Sequence, residues 1–285
     1  MGSYSRFCYR WFGEYVRTFR DYFIDLHQDL VLAGLNFTLD EYLSMALFTA
    51  LLTFVCENIT LAFIFGLIFE LPVALTLSLF LAAALSTMIF FLFYSYPATL
   101  AKKKARDIDR VLPFATTYMA SVAAGKIEPY YLFSTVGSFR EYGEVARRFS
   151  NIARNIRFFG MNAVDAIRRE AQRVPSKSFR ELLWGIVATL MSGGDLRSYL
   201  KDRSELYMAE YRRSIQKYSQ DLSLFTEIYL TLVITGSIFF IVLTSIMAGT
   251  AGLEIVTLQS VIVFVFLPLI SVAFIILTKL RSPVR

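Results

Sequence analysis

The chain has 285 residues, of which 56% are hydrophobic and 18% charged, with 29 lysine and arginine residues against 23 aspartate and glutamate residues. A soluble domain usually carries about 45–50% apolar and about 25% charged residues, so this composition excludes a single soluble globular domain and predicts a membrane protein. The net charge of +6 is informative only by position, because the basic residues cluster.

Residues 1–41 predict an amphipathic N-terminal helix on the cytoplasmic side and not a secretory signal. Charged residues interrupt its apolar runs, and no small-residue cleavage site follows. Such a helix packs on the cytoplasmic domain or lies on the membrane surface, and its lack of lysine favours packing. Thr38 and Glu41 have the spacing of a capping box that begins the next helix. The apolar stripe of the N-terminal helix has the helical spacing of three and four residues: Phe12, Tyr15, Phe19, Phe23, Leu26 and Leu30.

Two charge-poor stretches predict two membrane hairpins. Residues 42–97 contain no basic residue, and Glu254 is the single charge between 228 and 278. Each stretch can hold two helices of about 20 residues, the length that crosses a hydrocarbon core of about 30 Å. The first turn lies at Phe69–Pro72, and Gly249, Gly252 and Glu254 mark the second. We expect spans near 43–69, 71–96, 228–251 and 255–278.

With four passes, residues 1–41, the segment 98–227 and the tail 280–285 lie on one side of the membrane. Together with Lys279 at the cytoplasmic end of the last span, that side holds all 29 basic residues. Because basic loops stay in the cytoplasm, both termini and the large central segment are predicted to be cytoplasmic. Hairpin 1 occupies residues 42–97 and hairpin 2 residues 228–279. Because the outer turn of each hairpin is very short, almost nothing faces outward.

Three polar or helix-distorting residues stand out inside the spans. Glu57 and Asn58 lie near the middle of the first span, where an ionised carboxylate costs at least about 2.5 kcal/mol. They either hold the helix bundle together by hydrogen bonds or contact the N-terminal segment of a passing helix. Pro268 in the last span predicts a kink, or a carbonyl that a neighbouring helix must satisfy.

Residues 98–227 carry 22 basic and 14 acidic residues, a net charge of +8, and predict a helix bundle. Apolar residues at helical spacing alternate there with glycine and proline punctuation. Asp195 can accept backbone N–H groups to begin a helix that continues toward the third span. The residues predicted to form helix turns are Pro113, Gly125, Gly160, Pro175, Gly193 and Gly194.

The sequence lacks the residues that zinc sites, nucleotide phosphate loops and intramembrane proteases require. His27 is the one histidine, and no zinc-ligand spacing surrounds it. Gly125 and Lys126 lack the upstream glycine and the Ser or Thr of a nucleotide phosphate loop. No span contains the aspartates of an intramembrane protease. We therefore expect neither an enzyme nor a cofactor, and the mixing of acids among the bases argues against a nucleic-acid partner.

The order of short motifs between residues 30 and 250 resembles the F domain of type II secretion and type IV pilus platform proteins. The similarity is strongest to archaeal pilus and archaellum platforms and to the short, four-span tight-adherence forms. This chain has one F domain, where the larger family members have two in tandem. The motifs that carry the resemblance are Ala33-Gly34, Tyr96-Pro97, Asp109 to Phe114, Gly125, Tyr142 to Glu144, Phe159-Gly160, Asp165-Ala166, Val174 to Ser176, Phe179, Trp184-Gly185, Gly193 to Leu196, Tyr199-Leu200 and Glu227 to Tyr229.

The resemblance implies an all-α, polytopic membrane protein in which two transmembrane hairpins flank a cytoplasmic helix-bundle F domain. Its function would be that of an inner-membrane platform that couples a hexameric cytoplasmic secretion ATPase to the assembly of pilin-like subunits. The implied partners also include a second F-domain protein, as a homodimer or a paralogue heterodimer.

Candidate contacts with the ATPase or with lipid are charged residues next to the membrane or at rigid turns. The basic run just beyond the second span is either an anchor on anionic lipid, at about 1 kcal/mol per charge, or a contact with the ATPase. The loop after Gly125 and the Gly193-Gly194-Asp195 turn are the other exposed candidates. Together they are Lys102, Lys103, Lys104, Arg106, Lys126, Glu128 and Asp195.

A small transporter subunit or permease component is the alternative, since it would share the apolar content. Four spans around a large charged insert leave little membrane bulk for alternating access, and polar residues inside the spans are few. Genomic neighbours would separate the two interpretations: a secretion ATPase and pilin genes favour a platform, and a permease gene favours a transporter.

Overall fold

The computed structural model describes residues 3–19, 23–125, 127–251, 257 and 260–281, and helices joined by short connections account for these residues, without a β-strand. The chain divides into two compact units, Met1–Ser204 and Glu205–Arg285. The α-helices are α1 (Ser3–Phe19), α2 (Ile24–Ala33), α3 (Leu39–Gly66), α4 (Leu71–Ala123), α5 (Pro129–Ser138), α6 (Gly143–Phe159), α7 (Ala163–Ala171), α8 (Lys177–Ser192), α9 (Leu196–Ile228), α10 (Gly236–Ala251) and α11 (Leu267–Arg281).

In the first unit, α3 and α4 form an antiparallel hairpin. The predicted capping box begins α3: the Glu41 N–H donates to Thr38 Oγ1 (3.3 Å), and the Thr38 N–H donates to Glu41 Oε2 (3.0 Å). Small residues on α4 allow the two backbones to approach closely, as in membrane helix pairs. Ser86 Oγ donates to the Ala50 carbonyl (2.7 Å). The small residues buried on α4 are Ala74, Ser78 and Ala82.

Helix α4 does not end where the sequence predicted a boundary between hairpin and domain. It runs without interruption for 53 residues, and both Pro97 and Pro113 lie inside it. A proline lacks the N–H that the carbonyl four residues earlier would accept. At Pro97 that carbonyl belongs to Phe93, and the Tyr42 hydroxyl donates to it instead (2.8 Å). The prediction of a turn at Pro113 is therefore wrong: this proline is buried in a continuous helix.

The N-terminal segment forms two helices where the sequence predicted one. Helix α1 packs on α3, where the Tyr4, Phe7 and Phe12 rings surround the Phe48 ring at centroid distances of 6.0, 5.6 and 6.3 Å. Its packing partner is thus the apolar hairpin and not the bundle predicted to be cytoplasmic. Helix α2 packs mainly along α4. Of the predicted apolar stripe, Leu26 and Leu30 are buried, and Phe12 and Phe23 are partly buried.

A helix bundle is built from the second half of α4, helices α5 to α8 and the start of α9. Its centre is a chain of three fully buried rings: Phe149 contacts Phe133 at 5.6 Å and Phe179 at 5.2 Å between centroids. Helix α5 crosses α6 so closely that a Cβ atom on Gly137 would lie 2.8 Å from the Ser150 backbone nitrogen. A larger residue at Gly137 would force the two helices apart.

Two contacts fix α8 within this bundle. Ser176 caps its N-terminus by accepting the Phe179 N–H (3.0 Å), and its hydroxyl also contacts Asp109 on α4. Partial desolvation raises the pKa of the Asp109 carboxyl, while the Ser176 hydrogen bond opposes the rise. Near the middle of α8, the Tyr199 hydroxyl donates to the Leu182 carbonyl (3.2 Å), and the Tyr199 ring covers Gly185, where a Cβ atom would clash with it.

The second unit contains two segments of π-helix. Residues Tyr229–Thr235 and Ile262–Phe266 are π-helical, and the latter lies immediately before Leu267, where α11 begins. Pro268 is thus the second residue of α11 and follows the distorted turn, as expected where a proline removes a backbone donor. The Tyr229 ring stacks on Phe274 with a centroid distance of 4.5 Å.

Three helical stretches within the described residues are long and apolar enough to cross a membrane: Leu39–Gly66, Leu71–Ala123 and Leu196–Met247. The last of these joins α9 and α10 through the π-helical segment. A shorter apolar helix covers Val263–Ile276. The fourth span stays a prediction. Of the residues predicted to form the second hairpin turn, Gly249 lies in α10, and Gly252 and Glu254 lie outside the described residues.

Candidate functional site

A polar cleft of about 480 Å³ lies where α4 leaves the predicted membrane span. One wall comes from α4, and the other comes from the connection between α5 and α6 together with the first turn of α6. Lysine and arginine side chains alternate there with carboxylates, so the cleft carries both signs of charge. Its lining residues are Leu100, Lys103, Lys104, Asp107, Arg110, Val111, Glu141, Tyr142, Gly143 and Glu144.

Lys104 has a role within the fold that the sequence analysis missed. Its Nζ donates to the Ala33 carbonyl at the C-terminus of α2 (2.5 Å). Gly34 ends α2 in the left-handed conformation (φ 68°), and the nearest atoms to a Cβ placed on it would be nitrogens of Lys104, Arg147 and Arg148, at 3.3, 3.8 and 4.0 Å. Three cations thus gather at the negative end of a helix, which is a favourable arrangement.

The other basic residues of this run stay at the surface. Lys102, Lys103 and Arg106 are exposed on α4. They are the members of the predicted contact set whose side chains are free to reach a lipid headgroup or a partner next to the membrane.

A buried ion-pair network stiffens the neighbouring part of the bundle. Arg148 on α6 pairs with Glu144 through Nε (3.1 Å) and with Glu170 on α7 through Nη1 (3.2 Å). Arg148 and Glu170 are 5% and 4% exposed. Removing one member would leave an uncompensated buried charge, which typically costs about 3–5 kcal/mol.

The opposite end of the bundle is distant from the membrane hairpin. Between Pro97 and Ala123, α4 rises about 40 Å at 1.5 Å per residue. The short connection after α4 leads directly to α5, and the Tyr130 hydroxyl of α5 accepts a hydrogen bond from Arg157 near the end of α6 (2.6 Å). That bond lowers the pKa of the Tyr130 phenol. The ends of α4 and α6 and the start of α5 therefore meet at one membrane-distal end.

Turn residues predicted from sequence lie at helix ends. Gly160 and Gly193 end α6 and α8 in the left-handed conformation, with φ of 62° and 66°. Asp195 Oδ1 accepts the Arg197 N–H at the start of α9 (3.1 Å). Gly125, Pro175 and Gly194 lie in the connections between helices. Of the candidate contacts, Glu128 precedes α5 and is exposed, and Lys126 lies outside the described residues.

Exposed apolar side chains lie at the C-terminal ends of α6 and α8 and just after α6, and the sequence did not single them out. Phe158, Phe159 and Met191 are 75%, 69% and 62% exposed, and Met161 is partly exposed. Arginines of α7 touch both methionines: Arg168 Nη2 lies 2.9 Å from the Met191 sulfur, and Arg169 Nη1 lies 3.9 Å from the Met161 sulfur. We call Phe158, Phe159, Met161 and Met191 the distal patch. One signal was available: Phe158 falls outside the buried stripe of α6, formed by Val145, Phe149 and Ile152.

Glu57 and Asn58 are half-buried on α3. The hairpin register, in which Ala50 meets Ser86, places Glu57 level with Ser78 and Leu79 of α4. Glu57 Oε2 is buried and has no hydrogen-bond partner among the described residues. The pair thus presents an unsatisfied polar atom within an apolar helix.

Among the residues that the structure describes, no group of three or more His, Cys, Asp and Glu side chains is arranged to hold a metal ion. The arrangement of the described residues is suited to contacts with lipid and protein.

Comparison with known proteins agrees with these observations. Residues 115–244 match the family model of the type II secretion system (T2SS) protein F. Over 134 residues, 47% of this chain and 22% of the relative, the chain is 23% identical to an uncharacterized protein of Methanocaldococcus jannaschii. Over 143 residues, 50% of this chain and 25% of the relative, it is 26% identical to flagella accessory protein J of Methanococcus voltae. The matched region thus spans about a quarter of each relative. No solved structure matches.

Proposed function

Because the chain is a membrane protein of the type II secretion and archaellum F-domain class, we propose that it couples a cytoplasmic secretion ATPase to the assembly of pilin-like subunits in the membrane. The observation that carries the proposal is the F domain at residues 115–244, attached to an apolar hairpin by a single helix. Such a protein is a platform, in which one part meets the motor and another part meets the filament subunits.

The continuity of α4 suits a coupling function. The helix extends for 53 residues, about 80 Å at 1.5 Å per residue, from the outer turn of the hairpin to the membrane-distal end of the bundle. A rigid helix transmits a displacement or rotation with little loss, whereas a flexible linker at Pro97 would absorb it. The Tyr42 hydrogen bond at the Phe93 carbonyl supports this continuity.

In the proposed topology, the protein crosses the inner membrane four times, and both termini and the F domain lie in the cytoplasm. The exposed Lys102, Lys103 and Arg106 then lie at the lipid headgroups, where each basic residue contributes about 1 kcal/mol on anionic lipid. Glu128 and Asp195, which lie next to helix starts, and Lys126, which follows Gly125 in the sequence, are the proposed contacts with the ATPase.

The platform is proposed to be completed by a second F domain. The larger family members that this chain resembles carry two such domains in tandem, whereas one match covers residues 115–244 here. A homodimer or a heterodimer with a paralogue would supply the second domain. The intramembrane pair Glu57 and Asn58 is proposed to contact the pilin-like subunits.

Co-purification tests the proposal directly. The tagged full-length chain is isolated from native membranes in mild detergent, and co-purifying proteins are quantified by mass spectrometry against a tagged, unrelated membrane protein of similar abundance. We expect enrichment of the hexameric secretion ATPase and of a second F-domain protein. Recovery of neither would overturn the proposed function.

A charge-reversal variant in the same assay separates lipid anchoring from motor contact. Lys102→Glu with Lys103→Glu is expected to reduce the anionic lipid that co-purifies with the chain, while the ATPase still co-purifies. Lys104 is left unchanged, because its contact with α2 would confound the result. Loss of the ATPase with an unchanged amount of bound anionic lipid would instead make this run the motor contact.

A further inference from the structure

The distal patch exposes side chains that a bundle of this kind normally buries. Phe133, Phe149 and Phe179 are fully buried in the same domain, whereas Phe158 and Phe159 are 75% and 69% exposed. Clustered exposed apolar side chains with a polar rim mark interaction sites on soluble surfaces. The patch lies at the end of the bundle distant from the membrane hairpin, about 40 Å along α4 from Pro97, so lipid does not cover it.

The rim of the patch is positively charged and lacks carboxylate partners. Arg157 donates a hydrogen bond to the Tyr130 hydroxyl, and Arg168 and Arg169 contact methionine sulfurs. Within the described part of the chain, none of the three arginines forms an ion pair, Arg157 and Arg169 are exposed, and Arg168 is partly exposed. These guanidinium charges therefore stay available for an outside anion.

The residue types favour a protein as the occupant. Phenylalanine, tyrosine, methionine and arginine are the side chains enriched at the cores of protein interfaces. The positive charge of this surface indicates which kind of protein could bind it. A second copy of the same surface would bring arginines against arginines, which is repulsive, whereas an acidic surface would be attracted.

We propose that the distal patch and the arginines 157, 168 and 169 form a docking surface for an acidic protein face with an apolar recess, which receives Phe158 and Phe159. This inference rests on the proposed function, in which the secretion ATPase is the protein that presents this face. The aromatic rings supply the affinity, and the arginines set the approach rate and the salt dependence.

The test measures binding of the purified ATPase from the same genome to the full-length chain in lipid nanodiscs, at low and high salt. Phe158→Ser with Phe159→Ser is expected to weaken binding at least about tenfold. Arg168→Glu with Arg169→Glu is expected to weaken it at least about tenfold at low salt and to flatten its salt dependence. Arg173→Glu with Lys177→Glu is the matched control. It reverses two exposed charges on the connection from α7 to α8 and the first turn of α8, at the opposite end of α8 from Met191, and should change binding less than about twofold.

The outcomes separate this inference from the proposed function. ATPase binding that is equal in wild type and in both patch variants overturns the docking surface and leaves the platform function in place. Absence of wild-type binding counts against the platform function, and a photo-crosslinker at Phe158 in native membranes then decides the docking surface. The docking surface is supported if Phe158 crosslinks to an identified acidic protein and if binding of that purified protein also depends on Phe158 and Arg168. Crosslinks to RNA, to a second copy or to nothing overturn it.

Discussion

Glu57 combines a carboxyl group with an apolar helix, and its Oε2 is buried without a hydrogen-bond partner among the described residues. A charged group at the centre of a membrane helix costs about 2.5–3.5 kcal/mol on insertion scales. A residue that served only in packing would not need a carboxyl group. Stability and activity should therefore respond in opposite directions when the carboxyl is removed.

We predict that Glu57→Leu raises the thermal unfolding midpoint in detergent, because the variant removes an unsatisfied polar atom, and lowers filament assembly by about tenfold or more, because it removes the proposed polar contact with the pilin-like subunit. Glu57→Gln should retain more assembly than Glu57→Leu, because the amide still offers hydrogen bonds. Filament yield by electron microscopy and protein level by immunoblot are the measurements. Normal assembly by both variants would remove the functional interpretation, and Glu70→Gln in the outer turn is the control.

At the scale of elements, a hydrogen bond from Lys104 to the Ala33 carbonyl attaches the C-terminus of α2 to α4, and guanidinium nitrogens of Arg147 and Arg148 lie close to Gly34. The bond is charge-assisted, and it satisfies a carbonyl that the end of a helix leaves unpaired. The N-terminal segment is thereby tied to the same helix that joins the membrane hairpin to the F domain.

Lys104→Met is predicted to weaken the attachment of α2 by about 1 kcal/mol, the typical net value of one hydrogen bond. Amide hydrogen exchange in Ile24–Ala33 should then become about fivefold faster, while exchange in α8 stays unchanged. Lys103→Met is the matched control, since Lys103 is exposed next to Lys104. Equal exchange in both variants would mean that the contact does not hold α2.

At the scale of the whole molecule, the proposed platform requires that the first hairpin turn and the bundle lie on opposite sides of the membrane. Cysteine labelling tests this arrangement in a background with Cys8→Ser and Cys56→Ser. Leu67→Cys, at a turn position that is 75% exposed, should react with an impermeant maleimide in intact cells. Ser192→Cys, exposed at the end of α8, should react only after lysis. Labelling of Ser192→Cys in intact cells would contradict the topology.

Some features followed from the sequence because their causes are local. The Thr38 and Glu41 capping box needs only residues three apart, and the glycines that end α6 and α8 need only a conformation that glycine adopts readily. The membrane character follows from composition and from the length of the apolar runs. The order of short motifs was enough to indicate the F domain.

Other features depended on contacts between residues distant in the chain. Pro97 was expected to mark a boundary, yet the Tyr42 hydroxyl occupies the carbonyl that this proline leaves unpaired and the helix continues. Lys104 was expected to face lipid or a motor, but it bonds to Ala33. The exposure of Phe158, Phe159 and Met191 became visible only in the folded bundle.

The sequence by itself therefore determined that this chain is a helical membrane protein with a basic F domain, since apolar run length, charge position and local capping are properties of neighbouring residues. The tertiary structure alone decided that α4 is one uninterrupted helix, that α1 packs on the membrane hairpin, and which cations stay exposed. Each of these depends on which hydrogen-bonding group or aromatic ring a distant segment brings into contact, and spacing along the chain does not specify that.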